Sequence, residues 1–228
     1  MNLIVGDSHS NWITFDNSIH LLCSAGSAKG LNNQNSISQY NHTILDNVAN
    51  NDYKHLFFLF GSVDVDFSSI HHYLKNPGLN WAEFNVNVIR NYLEFIVREF
   101  SDRSVIILSI GLPVLDDENL KKGLLNGHIN YLENKKIEEL ENELLNACLP
   151  DIYGRTTLTL HFNEELKNQI HHIGNPNIKF LDITSFTYDN NLKRIKDEFF
   201  IRCDHHCFDR NYHYTGIIND FLRLQLSK

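Results

Sequence analysis

The sequence predicts an α/β fold, a three-layer α/β/α sandwich built on a mostly parallel sheet. Three observations carry this prediction. Short apolar runs such as HLFFLFG at 55–61 and SVIILSIGLP at 104–113 are continuous rather than alternating, as strands buried on both faces require. Longer segments with helical periodicity separate these runs. Strand and helix therefore alternate along the chain, the pattern of βα units around a parallel sheet.

LIV at 3–5, stopped by Gly6, is the first strand, and IHLL at 19–22 is the second. GSAKGLNNQNS at 26–36 is rich in glycine, serine and asparagine and reads as a loop. From Ile37 to Val48, the residues Ile37, Tyr40, Ile44, Leu45 and Val48 keep helical spacing, with Ser36 positioned as a cap. HLFFLFG is the third strand. Trp81 to Phe100 is a long helix whose apolar stripe is Phe84, Val88, Tyr92, Phe95 and Ile96. SVIILSIGLP supplies the fourth strand and its turn. Ile129 to Cys148 reads as an amphipathic helix with a charged outer face, and a further helix follows around 161–173. NIKFLDI at 177–183 is the last strand. Tyr214 to Leu226 closes the chain as a helix with Ile217, Ile218, Phe221 and Leu222 inward. No internal repeat divides the chain, so residues 1–228 are expected to form a single domain.

At 228 residues and 42% apolar, the chain can bury a sizeable core. Its net charge is −8 and it has no block of lysine or arginine, which argues against a nucleic-acid or anionic-membrane partner. MNLIVGDSHS lacks a basic leader segment and is not read as a signal peptide. No stretch approaches the roughly 18 to 20 apolar residues of a membrane helix. The four cysteines, Cys23, Cys148, Cys203 and Cys207, do not require a disulfide framework, and a cytoplasmic setting is expected.

In a sheet of this kind ligands gather beyond the carboxyl ends of the strands. GDSHS at 6–10 puts Asp7, Ser8 and His9 directly after the first strand. A serine there would open the next helix, where backbone N–H groups activate a hydroxyl or hold an anion; the same letters also suit an ordinary helix cap. In the second loop, SAGSAKGL offers the amides of Gly26 and Gly30 to an oxyanion. FGSVDVDF at 60–67 sets Gly61 and Asp64 beyond the third strand. DHHCFDRNYH at 204–213 supplies an aspartate close to histidines before the final helix. In such a pair the aspartate fixes the tautomer and the histidine takes a hydroxyl proton.

Taken in order, these four blocks resemble those of the SGNH/GDSL hydrolase superfamily. That family has a GDS-type block after strand one, a glycine in the second loop, G-x-N-D after strand three and D-x-x-H before the last helix. The fold so implied is SGNH-hydrolase-like and flavodoxin-like. The wording of SAGSAKGLNNQNS and FLFGSVDVDF is similar to a GDSH-type subgroup associated with polysaccharide and glycan biosynthesis. RTTLTLHFNEEL at 155–166, with Asn163, looks like a further segment of that subgroup. The resemblance implies a Ser-His-Asp esterase, deacetylase or O-acyltransferase without metal or organic cofactor. Its substrate would be a small-molecule or carbohydrate ester. Ser8 would be the nucleophile, with Asp204 and His206 completing the triad. Asp7, His9, Gly26, Gly30, Gly61, Asp64 and His213 would border the substrate. Nothing in the pattern sets an oligomeric state.

Two departures bear on this. Val63 stands where the family has its asparagine donor, and an ionised Asp64 carboxylate accepts hydrogen bonds but donates none. Loss of one oxyanion donor costs on the order of 10² to 10³ in rate. A non-catalytic glycan-binding or glycan-biosynthesis accessory domain is therefore the alternative function. Asp204 to His206 is also one residue shorter than D-x-x-H, and Asp209 to His213 one longer; the first pair is preferred, with His205 and His213 as the other candidate bases. CDHHC at 203–207 further matches the DHHC signature of palmitoyltransferases and, on its own, a metal site. The first belongs with membrane helices, and the second normally has two regular cysteine pairs; this chain has neither.

Overall fold

The structure is a computed structural model and describes residues 1–125, 136–199 and 212–226. Its central sheet contains β1 (Asn2–Gly6), β2 (Ser18–Leu22), β3 (His55–Leu59), β4 (Val105–Leu108) and β5 (Ile178–Leu181). The strands are parallel and ordered β2-β1-β3-β4-β5. A small antiparallel pair, β6 (Tyr188–Asp189) and β7 (Arg194–Ile195), lies apart. The helices are α1 (Tyr40–Ala49), α2 (Ser69–Lys75), α3 (Trp81–Phe100), α4 (Asp117–Gly123), α5 (Ile137–Asn146), α6 (Ile152–Ile173) and α7 (Tyr212–Leu226).

The continuous apolar strands are explained by two cores. Leu56 and Phe58 of β3 join Leu3, Val5, Val105 and Ile107 against α1, α3 and α6. Phe57 and Leu59 join Ile4, Ile106 and Leu108 against residues of α4, α5 and α7. Alternate residues of one strand thus serve opposite faces, and a polar residue in the run would be buried on either side. The result is the expected three-layer α/β/α sandwich.

Some boundaries differ from the sequence reading. α1 begins at Tyr40, because Ser36 N–H bonds Asn33 O and Gln39 N–H bonds Ser36 O, holding the preceding residues in turns. Ile37 is consequently fully exposed and Ser36 is not the cap. α6 starts at Ile152, earlier than expected, capped by Asp151, whose carboxylate accepts the Gly154 N–H at 2.8 Å. Its first turns contain threonines, weak helix formers, yet Thr156 and Thr157 bond the carbonyls of Ile152 and Tyr153 one turn back. In α7, Ile218 and Leu222 are buried, whereas Ile217 is exposed.

The strand order determines where a ligand would sit. The chain leaves β1 toward β2 on one side, then crosses through α1 to β3 on the other. Reversal of direction opens a crevice between the carboxyl ends of β1 and β3. Gly6 lies opposite Leu59 at that edge.

Candidate active site

Asp7 and Ser8 leave β1 at this crevice. Asp7 N–H bonds Leu59 O at 3.2 Å, tying the turn to β3. The Asp7 side chain is fully buried and caps the turn through Oδ1, which accepts His9 N–H at 2.9 Å and lies 3.3 Å from His9 Nδ1. Ser8 is half-buried and opens only a three-residue 3₁₀ turn, Ser8–Ser10. The full helix expected there is absent, so little macrodipole acts on its hydroxyl. What remains is local: as the first residue of the turn, Ser8 keeps its N–H outside the turn's own bonding, whereas His9 and Ser10 give theirs to Asp7.

The second loop is organised around Asp64. That buried carboxylate follows β3 and accepts the Ala28 N–H at 2.6 Å and the Lys29 N–H as well. Gly26 N–H bonds Cys23 O at 2.8 Å, and Gly30 N–H bonds Ser27 Oγ at 2.8 Å. Both glycine amides proposed as oxyanion donors are thus engaged inside the loop. Gly61 has φ +123°, and a Cβ there would lie 2.8 Å from Phe162 Cζ, so the turn after β3 needs glycine.

Burial dominates the titration of the groups at this end of the sheet, and the Asp7 charge adds to it. Burial, reinforced by the Asp7 charge and opposed by the Ala28 amide, pushes the Asp64 carboxyl up to about 7. Burial and Asp7 push the Cys23 thiol up to about 12 and the Tyr92 hydroxyl well above its usual range. Asp66 is also raised by burial, with His9 and Arg155 opposing.

At the same edge, a small pocket joins the turns after β1, β3 and β4 and is reached from the Ser8 turn by His9. His9, Trp12, Leu59, Ser62, Asp66, Gly111, Leu112 and Val114 line it. Its volume is about 10 Å³, close to the minimum that admits a water molecule. Ser62 and Asp66 did not emerge from the sequence reading, although both fall within FGSVDVDF. The π-type turn Asp64–Ser68 separates the roles of the two aspartates, Asp64 holding the second loop and Asp66 lining the pocket.

The surrounding turns are pinned. Asn163 on α6 accepts Ile110 N–H at 2.9 Å and donates to Ile110 O at 3.0 Å, fixing the chain after β4. Arg155 is buried and donates to Leu115 O and Asp117 Oδ1, both at 2.8 Å. Ser10 Oγ bonds Asp7 O at 2.7 Å and lies 2.8 Å from His20 Nε2. If the single hydroxyl proton of Ser10 goes to Asp7 O, His20 is the donor and does not activate Ser10.

Asp204, His205, His206 and Asp209, with Cys203 and Cys207, lie outside the described residues. His213 falls in the first turn of α7. Among the described residues, no group of three or more His, Cys, Asp or Glu side chains is arranged to hold a metal ion, and no helix is long and apolar enough to cross a membrane.

No protein-family model and no curated protein sequence matches the chain. Solved structures do. A candidate acylhydrolase from Bacteroides fragilis NCTC 9343 aligns with TM-score 0.55 and 9% identity, over 99% of this chain and 86% of that one. A candidate platelet activating factor from Streptococcus pneumonia aligns with TM-score 0.48 and 13% identity, over 97% and 83%. A member of the lipolytic protein G-D-S-L family from Veillonella parvula DSM 2008 gives TM-score 0.43 and 14% identity, over 97% and 98%. The first of these establishes a shared α/β fold.

Proposed function

We propose that this chain, built on the GDSL/SGNH hydrolase fold, is a serine ester hydrolase or O-acyltransferase acting on O-acyl groups of a small molecule or carbohydrate. The observation that supports this most strongly is the position of Ser8. It stands immediately beyond the carboxyl end of β1, at the crevice where strand order reverses, with its N–H outside the bonding of its own turn. Ser8 attacks the ester carbonyl, an acyl-enzyme forms, and water or a sugar hydroxyl takes the acyl group. His206 is the base and Asp204 its orienting carboxylate.

The second reading is a non-catalytic glycan-binding or glycan-biosynthesis accessory domain on the same scaffold. A specific observation favours it: the Val63 side chain supplies no donor, and the amides of Gly26, Ala28, Lys29 and Gly30 are already bonded within the protein.

Turnover of p-nitrophenyl acetate separates the two. The hydrolase reading expects turnover above background that falls at least about 10³-fold in Ser8→Ala and comparably in His206→Ala, since triad members act as a unit. Turnover equal in wild type and Ser8→Ala supports the accessory domain. Loss in His213→Ala with His206→Ala active moves the base to His213 and leaves Ser8 in its role.

A further inference from the structure

The small pocket lined by His9, the residue after Ser8, contains polar atoms that the proposed chemistry does not use. Ser62 is 3% exposed, and its Oγ is buried with no hydrogen-bond partner among the described residues. Asp66 Oδ1 is likewise buried and unpartnered among them. Both residues line the same cavity, together with His9, the neighbour of Ser8 in sequence. A buried polar group left unsatisfied costs about 1–3 kcal/mol, and native proteins retain few. Two at one cavity point to something that fills it.

The donor and acceptor pattern selects the occupant. An anion is disfavoured by the buried Asp7, whose charge reaches Asp66. An ammonium group has no lone pair and would leave the Ser62 proton unpaired. A hydroxyl satisfies both groups, donating to Asp66 Oδ1 and accepting from Ser62 Oγ–H. Trp12, Leu59, Leu112 and Val114 supply the apolar part of the wall. The volume of about 10 Å³ admits one oxygen atom and little more.

We propose that Ser62 and Asp66 form a hydroxyl-recognition subsite that selects esters of polyhydroxylated alcohols over plain alkyl esters. This rests on the ester-hydrolase reading of Ser8 and names the substrate class of that site.

Binding is measured by ligand-observed NMR on the full chain carrying Ser8→Ala, with 1-O-acetylglycerol and propyl acetate as probes. The two esters have the same acyl group and three-carbon chain and differ in two hydroxyls. The subsite predicts at least about tenfold tighter binding of 1-O-acetylglycerol, because a site built to pair a hydroxyl discriminates against a ligand that lacks it. Adding Ser62→Ala or Asp66→Ala should bring the ratio below about threefold. Asp66→Ala, which removes the accepting oxygen, provides this result should Ser62→Ala fail to fold. Equal binding of the two esters, absence of binding by either, or a preference that survives both substitutions overturns the proposal and leaves the pocket a site for structural water. Turnover of the same esters by wild type is scored separately. Preference without turnover defeats the hydrolase reading alone; turnover without preference defeats the subsite alone.

Discussion

Burial holds the Asp64 carboxyl protonated up to about pH 7, against an ordinary value of 3.8. Across that interval the native state binds more protons than the unfolded chain, so this group makes stability fall as pH rises from about 4 to about 7, with no further loss above. Asp66, also raised, contributes with the same sign, whereas the lowered His20, His55 and His72 contribute with the opposite one. A comparison of variants isolates Asp64. Asp64→Asn keeps an oxygen for the Ala28 N–H and removes the titration. Between pH 5 and pH 8 wild type should lose about 1–3 kcal/mol relative to the variant, measured by urea unfolding. Parallel stability curves would show that Asp64 titrates normally. At this scale the sequence was legible in part. It pointed to Asp7, Ser8 and His9 through GDSHS, but it could not tell that Asp64 bonds the Ala28 amide, because that contact spans thirty-six positions.

Elements that bury one continuous stripe were readable, and those held by local turn chemistry were not. β3 and α3 follow directly from HLFFL and from the stripe Phe84, Val88, Tyr92, Phe95 and Ile96. The start of α1 did not, because turn bonds after Asn33 hold Ile37 in solvent. The short α2, α4 and the β6–β7 pair carry too few periods to announce themselves. The turn after β3 gives the sharpest test of element geometry. Gly61 combines a positive φ with close approach to the fully buried Phe162 ring. Gly61→Ala should destabilise the protein by about 2–4 kcal/mol, from backbone strain plus a core contact that cannot relax. Its urea midpoint should fall accordingly; a loss below about 0.5 kcal/mol would mean that β3 and α6 move apart without cost.

In the whole molecule, distant segments converge on the end of the sheet that carries Ser8. Asn219 of α7 accepts the Thr14 N–H at 3.0 Å and donates to Trp12 O at 3.4 Å, binding the last helix to the loop that follows Ser8. Asn163 of α6 fixes the turn after β4, and Ser109 Oγ donates to Asp182 Oδ1 at 3.0 Å to join the ends of β4 and β5. This convergence follows from parallel βα topology, which puts the loops after successive strands at one edge, and the alternation of strands and helices in the sequence pointed to that edge as the place for a candidate site. Its donors were not, since glycine-rich wording does not reveal whether an amide faces a ligand or closes a turn. The central claim is that the assembled edge makes Ser8 a nucleophile, and intact-mass spectrometry after treatment with a fluorophosphonate tests it most directly. The account predicts a single adduct that maps to Ser8, is absent in Ser8→Ala and forms slowly, because the Val63 side chain contributes no donor to the developing charge. No adduct on folded wild-type protein, or an adduct that persists in Ser8→Ala, would contradict it.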